Sequence, residues 1–315
     1  MGMDSPISIS VVCPCYNSLK YLSPAVESFI HQDYKGSSEL IFVVDPSSDG
    51  TMAFLSSLTD PRIRVIANKA RLGLFASRSL GIKEAKGKYV GFLDADDYLE
   101  PSFLRKMVEA LEVHDADMAD CSFYTLNDEK DEKRYPLRGH SKVIGKYKAA
   151  KMLLSDTHMR GFLWSKVYKK EKLVAKPSLS LPSGHMFEDM PMNFAAIAKL
   201  SRIVFLKEPL YHYRKSKGDT LTNVKRSDRA AQHLESFALM RIFADRSGDP
   251  KLIKIVRHRV WRMKLSLRYD VALSKEAGLK KKEARQILRK LRLLKRRKPL
   301  PIEGEPWEEI AKGAF

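Results

Sequence analysis

The chain has 315 residues, of which 44% are hydrophobic, 9% aromatic and 30% charged, and its formal net charge is +19. This composition is typical of a globular protein and excludes a disordered, collagen-like or repeat-dominated chain. Three cysteines without a C-x-x-C pair indicate neither a disulfide framework nor a cysteine zinc site, so we expect a reducing, cytoplasmic setting. No apolar run approaches the roughly 18 residues of a spanning helix, and the first residues do not resemble a secretion signal.

The first hundred residues alternate between strand and helix patterns. The apolar run Ile7–Cys13 predicts a buried strand, and Tyr21–Ile30 has helical spacing, with Ser23 as N-cap and Pro24 as first helical residue. Further strands are predicted over Glu39–Val44, Ile63–Ala67 and Tyr89–Leu93, and further helices over 78–85 and 99–111. This order predicts a mostly parallel sheet flanked by helices, which binds its ligand beyond the carboxyl ends of the strands.

Polar residues follow three of these strands: Tyr16 and Asn17, then Asp45, then Asp94, Asp96 and Asp97. Three carboxylates within four positions repel one another unless a cation joins them, and hard oxygen ligands suit Mg²⁺ or Mn²⁺. The alternative is an acidic turn in which Asp97 holds the start of the next helix.

Several segments in this order resemble the motifs of family 2 glycosyltransferases of the GT-A type. They are SVVCPCYN, ELIFVVDPSSDGT, NKARLGLFASRSLGIKEAKGKYVGFLDADD, WSKVY, MFEDMPMNF and YHYRKSKGDTLTN, which together cover roughly residues 7–223. The resemblance implies a GT-A fold, Rossmann-like with a mostly parallel sheet. It also implies an inverting transfer of a sugar from a nucleoside diphosphate, by default UDP, to a hydroxyl of a saccharide or lipid-linked acceptor.

The resemblance also assigns roles to particular residues. Asp96 is expected to bind Mn²⁺ or Mg²⁺ on the diphosphate, and Asp94 to contact the ribose or support the metal. Asp45 and Arg78 are expected to address the base, although Arg78 could equally be a surface cation. The other expected nucleotide-sugar contacts are Pro14, Tyr16, Asn17, Ala95 and His212, of which His212 contacts phosphate or metal.

Two departures from the family pattern affect the nucleotide site. The loop Asp45–Thr51 is one residue shorter than the family's Asp-Asp-Gly-Ser-x-Asp-Gly-Thr and lacks its second Asp, so Asp49 could simply cap a helix. The family's A-R-N stands here as Ser77-Arg78-Ser79, which keeps the cation and loses the amide.

Glu188 and Asp189 stand where the family places its Glu-Asp pair. By this resemblance Asp189 is the general base toward the acceptor hydroxyl and Glu188 orients the site. A bare dipeptide of this kind is otherwise a solvated helix start. Trp164 is either a platform for a sugar or a core residue, and Tyr211 and Tyr213 fit an aromatic strand packed on the sheet.

The positive charge is concentrated near the C-terminus. Residues 251–300 hold 19 Lys and Arg against three acidic residues, so they carry +16 of the net +19. The stretch Lys280–Lys298 places apolar residues at helical spacing among cations, and such a face lies on an anionic membrane or packs on the protein itself. No recognition motif accompanies the charge, so nucleic acid is not expected as a partner.

These expectations define a catalytic domain over residues 1–225 and a helical, basic region over 226–315, with a contact to the inner face of the cell membrane through 251–300. Oligomerisation is left open. The alternative function is a non-catalytic sugar-nucleotide or membrane-binding module with the same fold.

Overall fold

The computed structural model describes residues 7–127, 131–135, 142–155, 159–173, 188–215 and 226–259. The chain divides into two compact units, neither of which is continuous in sequence. Unit 1 is drawn from Met1–Lys146, Phe162–Gly184 and Lys199–Asp219, and unit 2 from Tyr147–Gly161, His185–Ala198 and Thr220–Phe315. The boundary expected at residue 225 stays a prediction, and most of the basic segment 251–300 lies outside the described residues.

Unit 1 contains a mixed sheet that is ten-stranded in the described residues. Its strands are β1 (Ile9–Cys15), β2 (Ser38–Val44), β3 (Ile63–Ala67), β4 (Tyr89–Phe92), β5 (Tyr98–Leu99), β6 (Met118–Asn127), β7 (Asp131–Tyr135), β8 (Lys142–Ile144), β9 (Lys166–Lys169) and β10 (Ile203–Lys215). The order is β3-β2-β1-β4-β9-β6-β10-β5, with β7 beside β6 and β8 beside β10.

The first half of this sheet is parallel, as predicted: β2 and β4 flank β1, and β3 lies beyond β2. β9 then runs antiparallel to both β4 and β6, so the second half is mixed. The helices of unit 1 are α1 (Leu19–Ile30), α2 (Thr51–Ser56), α3 (Leu74–Glu84) and α4 (Phe103–Val113). The predicted α/β class, a sheet flanked by helices, is confirmed.

Unit 2 is helical in its described residues. Its helices are α5 (Lys146–Ser155), α6 (Asp189–Ile197) and α7 (Arg226–Arg246), and residues 250–259 are also helical. The start of α5 belongs to unit 1. Buried apolar side chains such as Phe194 and Leu153 form the interior of this unit.

The start of α1 differs from the prediction. The helix begins at Leu19, so Pro24 lies inside it and Ser23 is not its N-cap. The Leu19 N–H donates to Asp49 Oδ2 at 2.9 Å, and Asp49 Oδ1 accepts the Thr51 N–H at 3.0 Å. Asp49 therefore caps the start of both α1 and α2, which confirms the capping alternative for this residue.

Helix α3 packs against β1 at Gly81. A Cβ placed on Gly81 would overlap Val12 Cγ1 and would lie 3.0 Å from Val12 Cγ2 and 3.2 Å from Val12 Cβ. Val12 is fully buried and β-branched, so its side chain has little freedom to move away. The glycine sets how closely this helix approaches the strand that leads into the candidate site.

We expect Gly81→Ala to lower the free energy of unfolding by up to about 2 kcal/mol. Overpacking a core costs about 1–3 kcal/mol, and the higher helix propensity of alanine returns about 1 kcal/mol of this. Urea unfolding monitored by circular dichroism measures the difference. In the double variant Val12→Ala/Gly81→Ala the overlap is removed, so the two losses in the free energy of unfolding should be less than additive. Strictly additive losses would contradict the packing argument.

Candidate functional site and family assignment

The acidic loop, residues Asp94–Asp97, joins β4 to β5 at the carboxyl edge of the parallel strands. Tyr211 in β10 holds it at two points: the Tyr211 hydroxyl donates to Asp97 Oδ2 at 2.8 Å and accepts the Asp94 N–H at 3.0 Å. Arg214 holds it at two more, since its N–H donates to Asp97 Oδ1 at 2.7 Å and its Nε donates to the carbonyl oxygen of Asp96 at 3.0 Å. The loop is therefore fixed from a strand more than a hundred residues away.

Asp97 is fully buried and serves this anchoring role. The suggestion that it holds the start of the next helix is wrong, because α4 begins only at Phe103 and residues 98–99 form β5. The pairing of β5 with β10 takes these residues out of the helix, with Tyr211 opposite Leu99.

Arg78 and Asp94 form an ion pair at the same edge. Arg78 Nη2 lies 2.7 Å from Asp94 Oδ1, and the Arg78 side chain is 1% exposed. The surface-cation alternative for Arg78 is therefore wrong. The Arg78 guanidinium orients one carboxylate oxygen of Asp94. The expected contact of Arg78 with the nucleotide base stays a prediction.

The electrostatics of the acidic loop favour a bound cation. Burial, together with the nearby charge of Asp94, raises the pKa of Asp96 to about 6. Burial and then the charges of Asp96 and Asp94 raise the pKa of Asp97 well above its usual value. Three carboxylates thus share a small, largely desolvated region, where a positive charge would be strongly stabilised.

A divalent metal fits the donors present. Among the described residues no group of three or more His, Cys, Asp or Glu side chains is arranged to hold a metal ion. Mg²⁺ is commonly held by one or two carboxylates, with water and substrate phosphate completing its shell. Asp96 and Asp94 supply that number of protein ligands, so the metal assignment stands as a proposal.

His212 lies in β10, the strand that holds the acidic loop, but its side chain contacts other residues. Its ring is stacked between those of Tyr98, at 4.2 Å, and Tyr124, at 4.6 Å. Its Nε2 lies 2.6 Å from Glu100 Oε1, and the residue is 6% exposed. A contact with phosphate or metal through Nε2 would require the imidazole to leave Glu100, so that role stays a prediction.

The loops that follow β1 and β2 support each other. Asn17 adopts a positive φ of 48°, its N–H donates to Ser47 Oγ and its Oδ1 accepts the Ser48 N–H, both at 3.0 Å. This arrangement holds Tyr16 with 41% of its surface exposed. Pro14 lies within β1 itself, beyond the last residue that pairs with β4, where its missing N–H costs no sheet hydrogen bond.

Asp45 anchors the loop that follows β3. Its carboxylate accepts Asn68 Nδ2 at 2.8 Å, the Leu72 N–H at 3.1 Å and the Gly73 N–H at 2.9 Å. Asn68 and this loop were not predicted to belong to the site. Gly73, which precedes α3 and has a φ of 81°, is the residue that could have indicated a special turn there. The contact of Asp45 with a base stays a prediction.

Trp164 belongs to the core of unit 1. It is 2% exposed, and its ring stacks on Phe162 at 4.6 Å and on Tyr211 at 4.4 Å. The core alternative is thus correct and the sugar-platform alternative is wrong. Tyr211 and Tyr213 lie in β10, as the aromatic-strand interpretation expected.

Glu188 and Asp189 lie in unit 2, at the beginning of α6. Glu188 is buried, whereas Asp189, the first residue of the helix, is half-buried. Asn193 Nδ2 donates to the carbonyl oxygens of Asp189, at 3.0 Å, and Gly161, at 2.8 Å. The Glu188-Asp189 dipeptide begins a helix, as the alternative interpretation expected, and negative charge is favoured at that position. Glu188, however, is buried and therefore not solvated. The roles of base and orienting residue stay predictions.

We expect Tyr211→Phe to lower the free energy of unfolding by about 1–3 kcal/mol, because a buried carboxylate at Asp97 loses a hydrogen-bond donor. Chemical denaturation measures the loss. A double-mutant cycle with Asp97→Asn tests the pairing: the two changes should be less than additive. Additive effects would show that the hydroxyl and the carboxylate do not stabilise one another.

The family model described as Glycosyl transferase family 2 matches residues 10–176, more than half of the chain. The chain belongs to glycosyl transferase family 2. This family 2 glycosyltransferase is 29% identical over 232 residues to the uncharacterized glycosyltransferase EpsJ of Bacillus subtilis, a match over 72% of this chain and 66% of EpsJ. It is 27% identical over 218 residues to the glycosyltransferase GlyA of Streptococcus pneumoniae, a match over 67% of this chain and 31% of GlyA.

The fold of this glycosyltransferase is similar to that of S. aureus TarS. Residues 1–349 of TarS in complex with UDP-GlcNAc superpose with a TM-score of 0.72 at 18% identity, covering 90% of this chain and 79% of that one. This similarity confirms the predicted GT-A architecture. Within the described part of the glycosyltransferase, no helix is both long enough and apolar enough to cross a membrane.

Proposed function

We propose that this glycosyltransferase moves a sugar from a UDP-sugar to a hydroxyl group of a saccharide or lipid-linked acceptor, with inversion at the anomeric carbon, in the assembly of a cell-surface polysaccharide. The observation that carries the proposal is the acidic loop, whose Asp94 and Asp96 are fixed by β10 at the carboxyl edge of the parallel strands. The UDP-GlcNAc complex of TarS supports a UDP-sugar as the donor.

The residues of unit 1 bind the donor. Arg78 fixes one carboxylate oxygen of Asp94, and hydrogen bonds from β10 fix the backbone of Asp94 and Asp96, before the donor arrives. Such preorganisation avoids a reorganisation cost when charge develops on the leaving diphosphate. A divalent cation held by Asp96 and Asp94 would act as a Lewis acid toward that charge. Tyr16 and Asn17 line the region beside β1 where we place the nucleoside.

Two further carboxyl residues, Glu188 and Asp189, act on the acceptor. In this proposal Asp189 takes the proton of the acceptor hydroxyl as that oxygen bonds to the anomeric carbon and the bond to the diphosphate breaks. Glu188 orients the acceptor. The position of Asp189 at the start of α6 places a carboxylate where the helix dipole favours its charged, proton-accepting form.

A screen of nucleotide sugars tests this proposal. Full-length protein is incubated with UDP-, GDP- and dTDP-sugars in Mg²⁺ or Mn²⁺, with and without EDTA, and the released nucleoside diphosphate is measured. We expect release from a UDP-sugar that depends on the metal, and NMR of a transfer product should show inverted configuration. Nucleotide binding by calorimetry without turnover on any donor would instead favour the non-catalytic module.

A further inference from the structure

A cavity of unit 1, which we call the basic cavity, lies at the amino edge of the parallel strands, opposite the acidic loop. Its volume is about 730 Å³, and its lining residues precede β1 and β4 or surround the end of β9. Its cations are Lys86, Lys88, Lys169 and Lys170. At about 3.3 Å per residue along β4, Lys88 and Asp94 are roughly 15–20 Å apart, so a ligand in this cavity would not touch the acidic loop.

The positive charge of the basic cavity is high for its surroundings. Residues 251–300 carry +16 of the net +19, so all the rest of the chain carries only +3. Among the described residues that line the cavity, four lysines and one acidic residue, Glu171, give the same +3. The Glu171 carboxylate lies 3.5 Å from the ammonium of Lys172, which is outside the lining. The cavity therefore concentrates cations on a body that is otherwise close to neutral.

Two of the cavity lysines have no carboxylate partner among the described residues, namely Lys86 and Lys170. The Lys170 ammonium donates to the carbonyl oxygen of Ala85, which leaves two of its N–H groups for other acceptors. Lys88 Nζ lies 4.0 Å from Glu112 Oε1, but both side chains are more than half exposed, and such pairs contribute little stability. These three ammonium groups are therefore available to an anion.

The backbone brings the like charges together. β9 pairs antiparallel with β4, with Tyr89 opposite Lys169, and the Lys170 N–H donates to the Lys88 carbonyl oxygen at 2.9 Å. Lysines that stand opposite each other across two strands repel and cost stability. Lys169 is neutralised by Asp117, whose Oδ1 lies 3.5 Å from its ammonium, so the unbalanced charge belongs to the other three lysines. An anion bound among them would relieve the repulsion.

The lining and the size of the basic cavity indicate the chemistry of its ligand. A phosphate monoester carries about two negative charges and three acceptor oxygens, which suits ammonium groups that act solely as donors. The cavity volume is within the range of about 300–1,000 Å³ that is typical of small-molecule sites, and a bare phosphate would not fill it. Ile7 and Leu173 contribute apolar surface, on which the organic part of an ester can pack.

We propose that the basic cavity binds a phosphate monoester, with the phosphate held by the ammonium groups of Lys86, Lys88 and Lys170 and the organic group packed on Ile7 and Leu173. A soluble sugar phosphate and the headgroup of a phospholipid both have this chemistry. The inference goes beyond the proposed function and does not depend on it, because the basic cavity and the acidic loop lie at opposite edges of the sheet.

Calorimetry on the full-length protein tests the proposal, with glucose 6-phosphate as the soluble ester and dihexanoyl phosphatidic acid as the lipid headgroup. EDTA is present, so that no divalent metal draws phosphate to the acidic loop, and the salt is about 0.15 M NaCl, which screens distant charges. We expect at least one ester to bind with a Kd of about 1 mM or lower, and more tightly than inorganic phosphate. Glucose, which has no phosphate, should not bind.

The lysine variants locate the binding. We expect Lys86→Gln to weaken ester binding about fivefold and Lys86→Gln/Lys88→Gln at least about 20-fold, because each change removes one cation from the phosphate. Both lysines are exposed, so these changes put little of the fold at risk. Lys83→Gln, an exposed lysine of α3 outside the lining, is the matched control and should bind like the wild type. Asp96→Asn should also bind the ester like the wild type, since it alters the opposite edge.

The ester that binds more tightly identifies the source of the phosphate, and a preference in either direction supports the site. Equal ester affinity in the wild type and in Lys86→Gln/Lys88→Gln, or an equal loss in Lys83→Gln, would overturn the inference. It would also fail if inorganic phosphate bound as tightly as either ester, or if no ester bound with a Kd below about 10 mM.

Discussion

Asp96→Asn is expected to abolish sugar transfer, lowering kcat by at least about 1,000-fold, because it removes a carboxylate that, in our proposal, holds the divalent cation that stabilises the leaving diphosphate. The measurement is turnover of the UDP-sugar found in the donor screen, with calorimetry of UDP in Mg²⁺ or Mn²⁺. Nucleotide binding should weaken as well, and its dependence on the metal should largely disappear.

A substitution at Asp96 tests the acidic loop with less risk to the fold than one at Asp94. Replacing Asp94 would deprive the buried guanidinium of Arg78 of its carboxylate, and an uncompensated buried charge destabilises the fold. Asp115→Asn is the matched control, since Asp115 is an exposed carboxylate of the same unit and should keep full activity. Transfer by Asp96→Asn above a tenth of the wild-type rate would contradict the role given to the acidic loop.

Asp189→Asn is expected to lower kcat by about 100- to 10,000-fold, which is the usual contribution of a general base. UDP-sugar binding should stay within about twofold of the wild type, because Asp189 acts on the acceptor in our proposal. Asparagine preserves the polar start of α6, so the change tests the carboxylate more than the fold. Single-turnover kinetics and calorimetry separate the two effects.

Glu188→Gln serves as the comparison, because Glu188 neighbours Asp189 and carries the same group. We expect a smaller loss of kcat for this variant, and thermal unfolding should be checked because Glu188 is buried. If Glu188→Gln were inactive while folded and Asp189→Asn kept its activity, the base would be Glu188.

The parallel half of the sheet could be predicted well from local sequence. The apolar run over residues 39–44 became β2, because a strand buried on both faces needs a continuous apolar sequence. The run over residues 63–67 became β3, a strand at the edge of the sheet that is only half-buried. The acidic loop was located for the same reason, since Asp94 and Asp96 directly follow such a run.

The features that local sequence did not predict depend on distant contacts. The start of α1 was placed five residues too late because its cap, Asp49, lies 30 residues further along the chain. Asp97 was interpreted as a possible helix cap because its partner Tyr211 is separated from it by 114 positions. Trp164 was left ambiguous since only the surrounding rings decide whether an indole is buried.

The hydrogen bonds from Tyr211 and Arg214 to the acidic loop have a consequence for protein engineering. The region matched by the family model ends at residue 176 and contains every carboxylate of that loop, yet it lacks the strand that immobilises them. A shortened enzyme, or a chimera joined at residue 176, would keep the acidic loop but lose the hydrogen bonds from β10 that hold it. Crossover points between relatives therefore belong after residue 215, so that the acidic loop and the strand that holds it are inherited together.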